Sequence, residues 1–152
     1  MTSVISDAAP RLTLALYQPD IAQNAGTMLR MCACFGVEAA LIGPTGFAWG
    51  DRSLRRAGMD YLDHVKLSRH ACFEDFEVWR RAQSPPRRLV LLTTKSPLSY
   101  LDARFRDGDV LMVGRESAGL PSLQRGLPGL GGGAFDFAHD LFRRLVLAQS
   151  LE

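Results

Sequence analysis

The sequence lacks a long apolar run and is poor in cysteine, and each shortage excludes a class of protein. No stretch approaches the roughly 20 consecutive apolar residues that a membrane-spanning helix needs, so we expect no membrane association. Residues 1–10 have neither the basic nor the apolar region of a secretory signal, and we expect a flexible N-terminus there. Three cysteines without paired spacing argue against a disulfide framework and favour the reducing cytoplasm.

Common catalytic and metal-binding motifs are also missing. The chain has no G-x-G-x-x-G after a predicted strand, no phosphate-binding loop with a lysine, and no H-E-x-x-H. Cys32 and Cys34 have the wrong spacing for a structural zinc site, and the histidines show no metal-ligand spacing. We therefore expect no metal, and core packing is the expected role of the cysteines.

Lysine is scarce, and the positive charge is carried almost entirely by arginine. Lys66 and Lys95 are the two lysines among 18 basic residues, so the other 16 are arginines. Arginine presents a rigid fork of donors that matches the geometry of phosphate. A genome rich in arginine codons explains the total number, but the grouping of some arginines calls for another explanation.

The most informative group combines aromatic rings with guanidinium groups. Trp49 is followed by Arg52, Arg55 and Arg56, and Phe47 precedes it. Aromatic faces stack on unpaired bases and arginines bind phosphate, so the group suits an RNA loop. A helix with a solvated basic face and core aromatics is the alternative. The arginines favour RNA, whereas the two interpretations are equally good for Trp49.

Short apolar runs alternate with amphipathic stretches, which is the pattern of a parallel sheet with crossover helices. We predict a single domain over residues 1–152, of α/β class, with a mostly parallel sheet and helices on both faces. The predicted strands are 12–17, 37–42, 63–67, 89–94 and 110–113. The predicted helices are 21–35, 52–59, 72–83 and 135–152, with a glycine-rich breaker at 127–134.

The predicted ligand site is centred on the stretch from Asp109 to Pro121. Its apolar run 110–113 has the size of a buried strand and breaks at Gly114, after which polar residues follow. Ligands of open α/β sheets bind just beyond the carboxyl ends of strands. We therefore predict a ligand site at this bend.

A second candidate segment runs from Asn24 to Arg30 in the first predicted helix, which Gly36 should end. Gly26 permits a close backbone approach, and Arg30 lies six residues beyond Asn24, displaced around the helix. On spacing alone, an N-terminal cap at Asn24 and a surface arginine at 30 is the better interpretation. A shared site would require Arg30 to reach back past Gly26.

The two segments together change that balance. N-x-G-x-x-x-R at 24–30 and V-G-R-E-S-x-G-L-P at 113–121 resemble motifs of the SPOUT methyltransferase superfamily, and within it the small TrmL-type tRNA 2′-O-methyltransferases that modify the wobble nucleotide. Segments 17–21, 46–49, 54–58, 60–61 and 92–95 match in order and spacing as well. The resemblance extends from Leu14 to Pro121.

This resemblance implies an α/β fold with a carboxy-terminal trefoil knot, an obligate homodimer, and S-adenosylmethionine as cofactor. It also implies that the protein binds tRNA at the anticodon stem-loop. The catalytic positions that it implies are Asn24, Arg30 and Glu116. The cofactor-binding positions that it implies are Leu92, Thr93, Thr94, Gly114, Glu116, Gly119 and Leu120.

The chemistry of methyl transfer limits what Arg30 can do. A ribose hydroxyl is a poor nucleophile and must lose its proton, and a base works best when its pKa lies near the working pH. Arginine is effectively always protonated. We therefore interpret Arg30 as a clamp that orients phosphate and polarises the hydroxyl.

The resemblance ends at about Pro121, and residues 122–152 diverge from the family. The family continues with a helix, a strand ending in Ile-Pro-Met and a helix beginning Ser-Leu-Asn, which thread the knot and complete the cofactor pocket. Codons for 136–140 and 147–152, read one nucleotide later, can encode Ile-Ser-Pro-Met and Ser-Leu-Asn-Leu-Ser. We hypothesise that this tail is a frameshifted reading, which the coding DNA decides, and that the knot of this chain is then incomplete.

Three alternatives to a tRNA methyltransferase stay open. One is a ribosomal RNA 2′-O-methyltransferase of the same superfamily, although the absence of an added RNA-binding domain favours tRNA. Another is a catalytically inactive RNA-binding remnant. The third is a flavodoxin-like nucleotide binder, which the lack of a phosphate loop after the first strand disfavours.

Overall fold

The computed structural model describes residues 11–48, 52, 59–93, 102–115 and 129–131. Its strands are β1 (Thr13–Tyr17), β2 (Glu38–Ile42), β3 (Leu67–His70), β4 (Leu89–Thr93), β5 (Val110–Val113) and β6 (Gly129–Gly131). Its helices are α1 (Ala22–Phe35), a 3-10 helix (Met59–His64) and α2 (Phe73–Arg81).

The six strands form one sheet in the order β3-β2-β1-β5-β4-β6, and every neighbouring pair is parallel. All residues of β1 and β5 are buried, as expected for central strands covered on both faces. The predicted α/β class with a parallel sheet is confirmed. Because the strands are parallel, β1, β4 and β5 all end at the same edge of the sheet.

Each face of the sheet is covered by one of the two long helices. Leu14 and Leu16 point to the face on which the apolar stripe of α1 packs, including Leu29. Ala15 and Tyr17 point to the opposite face, where Phe76 of α2 is fully buried. This alternation follows from the two-residue period of a strand, and each fully buried leucine or phenylalanine contributes about 1.5–3 kcal/mol.

Two predicted elements differ from the structure. The strand predicted at 63–67 is wrong, since residues 59–64 form the 3-10 helix and β3 covers 67–70. Val65 is apolar because it packs into the core after that helix, whereas β3 is a half-exposed edge strand held mainly by pairing with β2. Because β3 is half-exposed, its residues do not show the apolar pattern from which a buried strand can be predicted.

The glycine-rich segment predicted as a breaker contains β6, which pairs with β4 and places Leu92 opposite Leu130. Ladder hydrogen bonds use only backbone groups, so a sequence with few side chains can still pair with a free strand edge. The predicted helix at 52–59 is described only at Arg52, which is helical, and at Met59. The predicted helix at 135–152 lies outside the described residues.

Within the described ranges, no helix combines the length and apolar character needed to cross a membrane. The same ranges contain no group of three or more histidine, cysteine, aspartate or glutamate side chains placed to hold a metal ion.

Candidate functional site

The candidate site lies at the carboxyl edge of the sheet, where β1, β5 and β4 end side by side. In the sheet register, Val113 of β5 is opposite both Leu16 of β1 and Leu92 of β4. The predicted cofactor residues Leu92, Thr93 and Gly114 are therefore neighbours at this edge. Thr93 is half-buried. Leu92 is buried in the core and has an apolar side chain, so it can offer a ligand only its backbone groups.

The turn between β1 and α1 meets the bend after β5 through an ion pair. Arg115 Nη2 lies 3.8 Å from Asp20 Oδ2, and the aspartate side chain is only 17% exposed. The turn itself is shaped by Gln18, which has a left-handed backbone (φ 43°) and whose N–H donates to the carbonyl of Ile42 at 2.8 Å. The bend after β5 thus contacts the turn that leads into α1, four residues before the Asn24–Arg30 segment begins.

Arg115 has a second property that points to a ligand. Its Nε is buried and has no hydrogen-bond partner within the described structure. A buried donor without an acceptor is costly, so such groups usually have a partner in the functional state. The orphaned N–H lies at the edge where the cofactor residues are predicted.

Helix α1 carries Asn24 and Arg30 but does not use Asn24 as its cap. The cap residue is Ile21, which has an extended backbone and makes no side-chain cap hydrogen bond. Asn24 lies inside the first turn and is half-buried, so the interpretation of Asn24 as an N-terminal cap is wrong. The helix ends at Gly36 in the left-handed conformation, as the sequence predicts.

Arg30 lies on the exposed side of α1, two turns beyond the start of the helix. Its guanidinium carbon is 4.8 Å from the centre of the Tyr61 ring, which belongs to the 3-10 helix packed on α1. This distance is that of a cation–π contact. Tyr61 is not among the predicted site residues, although it lies in one of the segments that carry the family resemblance.

The loop after β2 is seated on the β1–α1 turn. The N–H of Gly46 donates to the carbonyl of Pro19 at 3.0 Å, and a Cβ added at Gly46 would lie 2.7 Å from the Cβ of Asp20. The Thr45 hydroxyl donates to the carbonyl of Phe47 at 2.7 Å. Phe47 is half-buried against the apolar core, so its ring is largely used in packing.

Several predicted site residues lie outside the part of the chain that the structure describes. Arg52 is described and is exposed, as an RNA contact requires. The positions that fall outside are Trp49, Thr94, Glu116, Gly119 and Leu120, together with Arg55 and Arg56. Their predicted roles stay predictions.

The cysteines follow the expectation of core packing only in part. Cys32 is buried, and burial raises the pKa of its thiol to about 12, which makes it unreactive at neutral pH. Cys34 is exposed and Cys72 is half-buried at the start of α2, where it is the cap residue. Core packing as the role of Cys34 is therefore wrong, because its side of α1 faces solvent.

A cavity of about 470 Å³ lies at the opposite, amino edge of the sheet, away from the predicted site. Its charged lining groups pair with one another. Glu38 binds Lys66 at 2.6 Å and Arg87 at 3.1 Å, and Arg11 lies 3.6 Å from Asp107. These ion pairs connect the amino ends of neighbouring strands. Because its charged groups are already paired, this cavity is less suited to binding a ligand than the carboxyl edge.

Comparison with known proteins assigns the fold and its relatives. The sequence profile of the SpoU rRNA Methylase family matches residues 11–127. A tRNA (cytidine(34)-2′-O)-methyltransferase from Beijerinckia indica subsp. indica is 62% identical over 108 residues, which make up 71% of this chain and 66% of that protein. The match thus spans about two thirds of the relative's length.

Solved structures agree with that assignment. One, described as giving structural insights into the 2-OH methylation of C/U34 on tRNA, has a TM-score of 0.79 at 34% identity and covers 91% of this chain and 97% of that one. The SpoU methyltransferase AviRb from Streptomyces viridochromogenes, in complex with AdoMet, has a TM-score of 0.75 at 19% identity, with coverages of 98% and 63%. The second likeness shows the fold alone. On the profile match and the identity to its relatives, this chain belongs to the SpoU methylase family of the SPOUT superfamily, as its two motifs predicted.

Proposed function

We propose that this chain methylates the ribose 2′-hydroxyl of the wobble nucleotide of tRNA, using S-adenosylmethionine. The observation that carries the proposal is the meeting of the β1–α1 turn and the β5 bend, through Asp20 and Arg115, in a chain whose relatives are tRNA (cytidine(34)-2′-O)-methyltransferases. The β5 bend begins the second motif, and the β1–α1 turn leads into the helix that carries Asn24 and Arg30. The relatives' substrate also supports a cytoplasmic protein.

The carboxyl edge fits the cofactor. Thr93 and Gly114 follow paired positions of β4 and β5, and the orphaned Nε of Arg115 leaves a buried donor available at the same edge. We propose that Thr93, Thr94 and the stretch from Gly114 to Leu120, including Glu116 and Gly119, hold S-adenosylmethionine. When bound, this cofactor supplies a methyl group already activated on a sulfonium, so the protein mainly positions the reactants and excludes water.

Arg30 has the chemistry of a clamp. Its guanidinium cannot accept the proton of the ribose hydroxyl, because arginine keeps its charge at any working pH. It can bind a phosphate in a bidentate manner and hold the adjacent ribose in place. We assign Asn24, half-buried one turn from Asp20, to the same side of the site.

RNA recognition is assigned to the segment after β2. Trp49, Arg52, Arg55 and Arg56 supply one aromatic ring and three guanidiniums, which suit the unpaired bases and phosphates of an anticodon loop. The loop that leads into this segment is anchored on the β1–α1 turn at Gly46. We further propose a homodimer and a single domain over residues 1–152, with the carboxy-terminal knot of the family left incomplete if residues 122–152 are a frameshifted reading.

The central test is substitution of Arg30. We expect Arg30→Ala to reduce methyl transfer to a tRNA transcript by at least 100-fold, because a lost positioning clamp removes stabilisation of the transition state. S-adenosylmethionine affinity, measured by calorimetry, should stay within about twofold of wild type. Arg104→Ala is the matched control, since Arg104 is an exposed arginine at the opposite edge.

The same assay separates the alternatives. Transfer to ribosomal RNA and not to tRNA would favour the ribosomal methyltransferase, which the family's description also names. Absence of any binding heat with the cofactor would identify an inactive RNA-binding protein. Equal loss of cofactor binding and turnover in Arg30→Ala would remove the clamp role.

A further inference from the structure

We propose that Tyr61 is a positioning residue that holds the Arg30 guanidinium in its working orientation by a cation–π contact. The inference rests on the proposed function and deepens it, because it assigns a role to a residue that the motif pair does not include. The geometric basis is the 4.8 Å separation between the guanidinium carbon and the ring centre. Such a contact is electrostatic and directional, and it needs the face of an aromatic ring.

An exposed arginine needs such a restraint. Arg30 lies on the solvent side of α1, where a long side chain has many rotamers open to it. A flexible arginine loses rotamer entropy when substrate binding fixes it in one orientation, and this loss weakens binding. A ring under the guanidinium plane reduces this cost and leaves the outward N–H groups free to bind phosphate.

Tyr61 can provide the restraint because its own position is secured. Its neighbour Leu62 packs against the apolar core, and Val65 is buried to 8% exposure with its N–H directed to the carbonyl of Leu62 at 3.3 Å. The 3-10 helix that carries the ring packs directly on α1. The backbone that carries the ring is therefore fixed relative to the backbone of Arg30.

The position of Tyr61 in the chain gives the contact a further consequence. The segment to which we assign RNA binding starts after a loop seated on the β1–α1 turn and is followed by the 3-10 helix seated on α1. The two elements that flank this segment in the chain therefore rest on α1 or on the turn that leads into it, and Tyr61 belongs to one of them.

The test compares Tyr61→Leu, which removes the aromatic face, with Tyr61→Phe, which keeps it. We expect Tyr61→Leu to lower kcat for tRNA methylation about 3- to 5-fold, the strength of a cation–π contact at an exposed site, while the dissociation constant of S-adenosylmethionine changes less than twofold. Tyr61→Phe should retain kcat within about twofold, because the hydroxyl takes no part in the contact. Both variants are compared with wild type by thermal unfolding.

A second readout does not depend on activity. A guanidinium over a ring face is shielded, so the side-chain protons of Arg30, assigned by their loss in Arg30→Ala, should resonate upfield in wild type and Tyr61→Phe. They should move to ordinary shifts in Tyr61→Leu. An unshifted Arg30 signal in wild type, or equal kcat in Tyr61→Leu and Tyr61→Phe, would overturn the inference. An inactive wild type that still shows the shift would instead refute the proposed function and leave the contact standing.

Discussion

Arginine side chains organise the ends of elements in this fold, and Arg80 is a clear example. It binds Glu77 in a bidentate manner, with Nε to Oε1 at 2.6 Å and Nη2 to Oε2 at 2.8 Å, and Arg81 adds a contact to Glu77 at 3.0 Å. Arg80 also donates to the carbonyl of Arg87. The end of α2 is thus connected to the segment before β4 through Glu77 and Arg80, whose side chains are 16% and 13% exposed.

Hydrogen bonds from Arg80, and then from Arg81, lower the pKa of Glu77 below its usual value of 4.5. A carboxyl whose pKa is lower in the folded than in the unfolded state stabilises the fold above the unfolded pKa. That contribution disappears as the pH falls through the folded pKa. The free energy of unfolding should therefore decline as the pH is lowered from about 5 towards 3.

Replacing Glu77 with glutamine should remove this pH dependence. We expect Glu77→Gln to lower the free energy of unfolding by about 1 kcal/mol at pH 7, since hydrogen bonds between charged groups are lost. Its stability should then change less than that of wild type between pH 5 and 3, as measured by urea unfolding. Glu74→Gln, an exposed position on the same helix, is the control. Parallel pH profiles of wild type and Glu77→Gln would contradict the assignment.

At the scale of elements, the loop after β2 is the connection between the core and the predicted RNA surface. Gly46 has no room for a side chain, because an added Cβ would lie 2.7 Å from the Cβ and 2.8 Å from the Cα of Asp20. Asp20 in turn faces Arg115 at the β5 bend. A displacement of this loop would therefore reach the site itself.

Gly46→Ala should accordingly affect function as well as stability. We expect a loss of about 1–3 kcal/mol in the free energy of unfolding from the forced shift of the backbone. We also expect kcat/KM for tRNA to fall at least tenfold at a temperature where the variant is folded. Gly36→Ala is a suitable control, because Gly36 has a left-handed backbone (φ 64°) with open space around it, and the strain of a side chain there lies at the far end of α1. Equal activity losses in the two variants would show that stability alone was measured.

For the whole molecule, the distribution of charge matters more than its total. The net charge is only +2, yet 16 of 18 basic residues are arginines. Many of the described arginines are used in ion pairs, such as Arg88 with the buried Asp109 at 2.9 Å. Arginines that are not paired within the fold are the ones available to phosphate.

Removing the arginines after the β2 loop should weaken tRNA binding in a salt-dependent way. We expect the combined variant Arg52→Ala, Arg55→Ala and Arg56→Ala to reduce the slope of log K against log salt by about 2, since each phosphate contact in a single strand contributes about 0.7. Fluorescence titrations between low and moderate salt measure this slope. The double variant Arg104→Ala and Arg106→Ala, both exposed at the amino edge, should leave it unchanged. An unaltered slope in the triple variant would place the RNA surface elsewhere.

The amino-acid sequence by itself determined the elements whose signal is local. The runs that became β1, β2, β4 and β5 are apolar because they are buried, and α1 and α2 show a helical period with Gly36 ending the first. The α/β class could be predicted from the order of these strands and helices, and the two motifs could be recognised in the sequence directly. These features depend on neighbours in the chain, which a single sequence displays.

The tertiary structure decided what depends on distant neighbours. β3 and β6 exist because a strand edge pairs with them, and neither has the apolar pattern of a buried strand. The meeting of Asp20 with Arg115, the seat of Gly46 on Asp20, and the ring of Tyr61 under Arg30 each join residues far apart in sequence. Such contacts depend on the order of the strands and on the packing of helices against the sheet, so they cannot be predicted from the spacing of residues that are near in sequence.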